Sequence, residues 1–142
     1  MTIAMVLGDK GREVTSIPAT ARVGDAVTLL AERRIGAVPV MDGDQVVGVF
    51  SERDVIRCLH DGGAAALARN VADVMTTPVM TVALGDSVLG ALSLMTRRRV
   101  RHLPVVEGGV VIGIVSIGDL VKHRIDRIES EAAAMRDYIQ RV

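Results

Sequence analysis

The chain has no tryptophan, one phenylalanine and one tyrosine in 142 residues, so it lacks the aromatic platforms on which single-stranded nucleic acids stack. Its one cysteine, Cys58, excludes an intrachain disulfide or a multi-cysteine zinc site and suits a reducing compartment. An excess of charge is missing too: 17 basic and 17 acidic residues balance, which argues against tracking a phosphate backbone and against an acidic tail. No apolar run approaches the roughly 20 residues that span a bilayer. The start, MTIAMVLGDKGRE, has no basic leader ahead of a long apolar stretch. Catalytic signatures are also missing. His60, His102 and His123 are dispersed, and no G-x-G-x-x-G, Walker loop or nucleophile elbow occurs. These absences predict a soluble, cytoplasmic, non-enzymatic protein that holds no metal and binds neither nucleic acid nor membrane.

What is present is apolar and repeated. Hydrophobic residues make up 49% of the chain, enough for a sizeable core. Sliding the sequence against itself by 65 positions aligns Val14–Arg57 with Val79–Lys122 without a gap, with 13 identities in 44 positions. Among them are Val23/Val88, Ala26/Ala91, Pro39/Pro104, Gly48/Gly113, Ser51/Ser116 and Asp54/Asp119. One structural unit therefore occurs twice.

Each unit opens on a short extended stretch, VTSI at 14–17 and VMTV at 79–82. Apolar residues then fall at Val23, Ala26, Val27 and Leu30, and again at Val88, Ala91, Leu92 and Met95, one face of an amphipathic helix. AVPVM with VVGVF, and HLPVV with VVIGIV, are separated by glycine-bearing tips and predict hairpins. A second helical pattern follows, giving β-α-β-β-α. A three-stranded sheet with two helices cannot hide both of its faces, so an α+β fold of two repeats packed as a pseudo-twofold pair is expected. The boundaries read as a lead at 1–13, repeats at 14–59 and 79–123, and a small-residue linker at 60–78 whose short helix Pro78 stops. An amphipathic C-terminal helix covers 124–142.

GVFSERDV (48–55) and GIVSIGDL (113–120) share one frame, in which Ser stands three residues before Asp at the start of a helix. That spacing is a capping box, worth roughly 0.5–2 kcal/mol without any ligand. A carboxylate held there can also accept both hydroxyls of a ribose, while free amides of the same turn attract phosphate. TRRRVRH (96–102) adds charge. Arg97–Arg99 read as a solvated helix face, and Arg101 and His102 fall at the helix-to-strand junction. Repeat two carries five basic and three acidic residues over 79–122, repeat one five and six over 14–57, so an uneven cleft is predicted. From Val121 the apolar residues Ile125, Ile128, Ala132, Met135, Ile139 and Val142 follow in steps of four and three. That is the spacing of a coiled-coil seam or of a helix lying on its own core, and a homodimer supplies a partner by symmetry.

Taken together, LLAERRIGAVPVMDGDQVVGVFSERDV and LSLMTRRRVRHLPVVEGGVVIGIVSIGDL, bridged by VADVMTTPVMTV, resemble a tandem pair of CBS domains, a Bateman module, over residues 14–57 and 71–123. The resemblance implies a stand-alone sensor that binds an adenosine-containing regulatory ligand (AMP, ATP, NAD or S-adenosylmethionine) between the repeats and signals to an effector protein. The alternative is a ligand-free dimerisation scaffold. By the same resemblance Asp54 and Asp119 hold ribose hydroxyls, and Ser51 and Ser116 contact ribose or phosphate. Main-chain groups of Ser16–Ile17, Thr81–Val82, Gly36–Ala37 and Arg101–His102 face adenine, and the Arg101 and His102 side chains face phosphate. Glu52 and Arg53 flank the first motif where Ile117 and Gly118 flank the second, so unequal sites are expected.

Overall fold

The computed structural model describes residues 1–141. Helix α1 (Ile3–Lys10) precedes strand β1 (Ile17–Pro18), helix α2 (Val23–Arg33), the hairpin of β2 (Ala37–Asp42) and β3 (Gln45–Ser51), and helix α3 (Glu52–Gly62). Two 3₁₀ turns, Gly63–Ala68 and Val71–Asp73, lead to helix α4 (Val88–Arg98), the hairpin of β4 (His102–Glu107) and β5 (Val110–Ser116), and helix α5 (Ile117–Arg141).

The predicted helix faces are the buried ones: Val23, Ala26 and Leu30 on α2, and Val88, Ala91 and Met95 on α4. Both helices end on a left-handed arginine, Arg34 (φ 53°) and Arg99 (φ 55°), which turns the chain toward the next strand. Gly43, and Gly108 with Gly109, supply the positive φ that the hairpin tips require. The hairpin registers set Ala37 opposite Ser51 and His102 opposite Ser116, so each Ser-x-x-Asp turn starts beside the residue that opens its own hairpin.

The repeats differ in their first strand. β1 pairs parallel with β2, whereas the strand predicted over 79–82 is reduced to a single bridge of Val82 with Val105. The next amide, that of Ala83, donates to Asp86 Oδ2 and takes the chain out of the sheet. The glycine- and alanine-rich segment predicted as a linker is structured as well: α3 runs to Gly62, and the following 3₁₀ turn buries Ala66.

Each repeat is completed by the segment that precedes the other. Helix α1 buries Ile3, Val6 and Leu7 with Val82, Leu103, Val105, Val115 and Leu120 of repeat two. Its chain is stitched there by Ile3 N donating to Asp86 O (2.9 Å) and Val88 N to Met1 O (3.2 Å). The linker buries Val71 with Val23, Val38, Val40 and Phe50 of repeat one, where Val71 N donates to Ala21 O (2.8 Å) and Val23 N to Arg69 O (2.9 Å). Burying one aliphatic side chain contributes about 1.5–3 kcal/mol, so both crossing segments belong to the folding unit.

This crossing explains the glycine of the shared frame. Thr76 pairs with Val49 on the edge of β3, and a methyl on Gly48 would stand 2.5 Å from Met75 Sδ. On β5, a methyl on Gly113 would stand 2.9 Å from Leu7 Cδ2. Helix α5 runs unbroken from Ile117, buries Leu120, and is exposed from Ile125 to Arg141. Val142, the last position of the predicted seam, lies outside the described residues. Among the described residues no helix is long and apolar enough to cross a membrane.

Candidate functional site

A cavity of about 480 Å³ lies where the repeats meet, within the range of roughly 300–1,000 Å³ usual for small-molecule sites. Repeat one contributes Gly36 and the turn Ser51–Asp54, the linker contributes Met75–Pro78, and repeat two contributes Val79, Met80 and Arg98–His102.

Asp54 is the most constrained polar group in this wall, with 1% of its surface exposed. Its Oδ2 accepts from Ser51 N (2.9 Å) and Ser51 Oγ (3.1 Å), and Asp54 N donates to Ser51 Oγ (3.4 Å), so the predicted capping box is formed. Thr76 Oγ1 donates to both carboxylate oxygens, at 3.0 and 3.2 Å, and Arg57 Nη1 donates to Oδ1 at 3.2 Å. A charge this deeply buried is tolerated because donors surround it. Two of those donors are a rotatable hydroxyl and a largely exposed guanidinium.

The charged part of the lining is mostly cationic. Arg53, Arg57, Arg98, Arg99 and Arg101 face two carboxylates, Glu52 and Asp54. Arg98 and Arg99 were expected on a solvated face. Both are exposed at the end of α4 and also line the cavity, and Arg97 stays outside its lining. The His102 imidazole packs against Gly36, where its Nε2 would lie 3.1 Å from a Cβ, so a side chain there would press the ring back by a few tenths of an ångström. Burial first, then the Lys10 charge and more weakly that of Arg101, hold the His102 pKa below its ordinary value against the opposing pull of Glu52 and Asp119.

The second turn is built alike and finished differently. Ser116 N donates to Asp119 Oδ2 (2.8 Å) and Asp119 N to Ser116 Oγ (3.1 Å). Lys10, from the end of α1, donates to Asp119 Oδ2 (2.5 Å) and to Ile114 O (2.8 Å). Burial pushes the Asp119 carboxyl up, but Lys10 and the Ser116 donors together outweigh it and hold the pKa below the usual value. His123, read from sequence as surface, has a side chain only 15% exposed, with Nδ1 3.6 Å from Asp9 Oδ2. Its Nε2 is buried without a partner among the described residues.

Of the residues singled out from sequence, Gly36, Ser51, Asp54, Arg101 and His102 come together in this cavity. Ser116 and Asp119 form the turn held by Lys10 and do not line it. Ala37 and Ile17 are buried in their strands, and the Val82 amide and carbonyl are spent on bonds to Pro104 and Val106. Ser16 opens onto a separate surface depression with Pro18 and Met41, and Thr81 is exposed elsewhere. Thr76, Arg57 and Lys10 escaped the sequence reading. The 65-residue offset extended backwards does not flag them: it sets Val6 on Val71, but Lys10 on Met75 and Gly11 on Thr76.

The CBS domain family matches the sequence over residues 10–61 and again over 71–126. The chain belongs to the CBS-domain family. As a tandem CBS pair it is similar to the mitochondrial CBS domain-containing protein CBSX3 of Arabidopsis thaliana, 34% identical over 98% of this chain and 72% of that protein. Among solved structures, a CBS-domain protein of Agrobacterium tumefaciens is 37% identical, with a TM-score of 0.84 over 87% of this chain and 99% of its own. A CBS domain protein of Pyrobaculum aerophilum, complexed with AMP, is 29% identical, with a TM-score of 0.74 over 84% of this chain and 89% of its own.

Proposed function

We propose that this CBS pair is a regulatory sensor whose Asp54 cavity takes a phosphorylated adenosine ligand, with AMP, ATP and NAD favoured over S-adenosylmethionine. One observation carries the proposal: five arginines from both repeats line a cavity that also holds the Asp54 turn. Guanidinium suits phosphate oxygens bidentately and keeps its charge at every working pH, whereas the cationic sulfonium and ammonium groups of S-adenosylmethionine are repelled there. The AMP complex of the Pyrobaculum relative supports the same ligand class. In this reading the ribose hydroxyls replace Thr76 Oγ1 and Arg57 on Asp54, one donor for another, and the phosphates lie toward Arg98–Arg101. Exchanging donors in this way shifts the linker and Arg57 between two arrangements, and a partner protein that prefers one arrangement reads the ligand by differential affinity. The role is regulatory rather than catalytic, and Cys58, free and buried, suits the cytoplasm.

The saturation of Asp54 favours a second reading, in which the turn is purely structural and the pair is a ligand-free scaffold. Titration calorimetry separates the two. The sensor reading expects ATP, NAD and AMP to bind more tightly than S-adenosylmethionine, and Arg101→Ala to weaken ATP about tenfold, the equivalent of one charge-assisted hydrogen bond. Heatless titrations with all four ligands, or tightest binding by S-adenosylmethionine, would leave the scaffold.

A further inference from the structure

At Gly36 an acid from one repeat and a base from the other meet on the cavity wall. A methyl on Gly36 would stand 3.1 Å from His102 Nε2, 3.2 Å from His102 Cε1 and 3.7 Å from Glu52 Oε1, so imidazole and carboxylate flank one point. Both are fixed at the backbone. The Glu52 amide, first in α3, donates to Gly36 O (3.0 Å), and His102 opens β4 opposite Ser116. Asp54, the other carboxylate of the lining, is saturated with donors, whereas Glu52 makes no ion pair among the described residues. Glu52 is therefore the uncompensated negative charge of a mostly cationic wall.

The arrangement occurs once. At the 65-residue offset Glu52 corresponds to Ile117, His102 to Ala37 and Gly36 to Arg101, so the second turn lacks the acid, the base and the space between them together. An acid at the first position of α3 also suits the helix dipole, but that role calls for no histidine opposite and no glycine between.

The charged groups around the imidazole are Glu52 from α3, Lys10 from α1, Asp119 from α5 and Arg101 beside it. Lys10 is already tied to Asp119, and Arg101 is exposed to solvent, which leaves Glu52 to answer a proton on His102 from the cavity side. Burial and Lys10 keep the imidazole neutral at pH 7, and in that state Glu52 repels phosphate without compensation. A charged His102 offsets Glu52 and adds a donor to the wall. Repulsion grows with ligand charge, so a triphosphate feels the change more than a monophosphate does.

We propose that Glu52 and His102 form a paired charge selector on the nucleotide cavity: the carboxylate penalises each added phosphate, and a proton on the imidazole cancels the penalty. The selector rests on the nucleotide reading above and names its regulation.

Two measurements on the full chain test it. In NMR titration of the His102 imidazole without ligand, Glu52→Gln is expected to lower the midpoint by about 0.5 pH unit and to leave those of His60 and His123 in place. In calorimetry at pH 8, Glu52→Gln is expected to tighten ATP about threefold and AMP less than about twofold. At pH 6 the gain on ATP should shrink, and in a His102→Gln background it should be the same at both pH values. Comparing variants at one pH removes the titration of the nucleotide itself. A His102 midpoint unmoved by Glu52→Gln overturns the pairing whether or not ATP binds. Equal gains for ATP and AMP overturn the selector and keep the nucleotide reading. A moved midpoint with no heat from either nucleotide overturns the nucleotide reading, and the selector with it.

Discussion

At the first Ser-x-x-Asp turn a carboxylate with 1% of its surface exposed shares its oxygens among Ser51, Thr76 and Arg57. At the second, a carboxylate side chain 27% exposed is paired with Lys10. The frame around both is the same: an apolar strand, a glycine that admits a crossing segment, a serine cap and a helix. The difference comes from what crosses. The linker lays a neutral hydroxyl beside Asp54, and α1 brings an ammonium to Asp119. A neutral donor can be exchanged for a sugar hydroxyl at little electrostatic cost, and Arg57, 64% exposed, gives up only a solvent-screened pair, whereas displacing the less exposed lysine breaks a charge-assisted bond together with its bond to Ile114 O. The duplication therefore yields two copies of a scaffold but one arginine-lined cavity at a Ser-x-x-Asp turn among the described residues, the cavity to which the proposed function assigns an anionic nucleotide, with the second turn already supplied with its cation.

The largest expected effect separates the two acids by stability. Asp54→Ala leaves the Ser51 amide, the Thr76 hydroxyl and Arg57 without their acceptor, and is expected to cost about 2–4 kcal/mol in denaturant unfolding. Asp119→Ala loses a cap and a partly exposed ion pair, and should cost about 1 kcal/mol. Equal losses would break the distinction drawn between the turns. Next in size, Gly48→Ala presses on Met75 and on the Thr76 carbonyl and should cost about 1–3 kcal/mol, whereas Gly113→Ala meets only the flexible end of Leu7 and should cost less; thermal melts rank them.

Lys10→Met sharpens the comparison further. Freed of its ammonium, Asp119 can accept hydroxyls, and the number of nucleotides bound per chain in calorimetry is expected to rise from one toward two. The same variant tests the acid limb of stability. Because the folded pKa of Asp119 lies below its unfolded value near 3.9, its contribution is present above that value and is lost as pH falls through the folded pKa. Lys10→Met should flatten unfolding curves recorded between pH 5 and pH 2. The smallest effect concerns His102, whose lowered pKa leaves it neutral at pH 7. A phosphate beside it favours the charged imidazole, so binding takes up a proton and affinity should climb modestly as pH drops from 8 toward 6.5. His102→Gln should remove that slope.

Much of this architecture was legible in the residues. The 65-residue offset revealed the duplication, the spacing of Val23, Ala26 and Leu30 placed the helix faces, and Gly43 and Gly108 located the hairpin tips. Gly36, Arg101 and His102 were named from the resemblance to tandem CBS pairs; the hairpin register ties each helix-to-strand junction only to its own Ser-x-x-Asp turn, and the packing of the two repeats brings these three into one cavity. Thr76 and Lys10 were not legible, for a physical reason: they act across the pseudo-twofold from segments outside the aligned repeats, and their partners are chosen by the crossing of chains rather than by local periodicity. Arg98 and Arg99 are exposed, as their spacing predicts, and that spacing did not report that they also border the cavity.

The most direct test is the stoichiometry of ATP in titration calorimetry against the wild type, Asp54→Asn and Asp119→Asn. One nucleotide per chain, lost in Asp54→Asn and kept in Asp119→Asn, is the expected result. Binding that survives Asp54→Asn, or that disappears with Asp119→Asn alone, would contradict it.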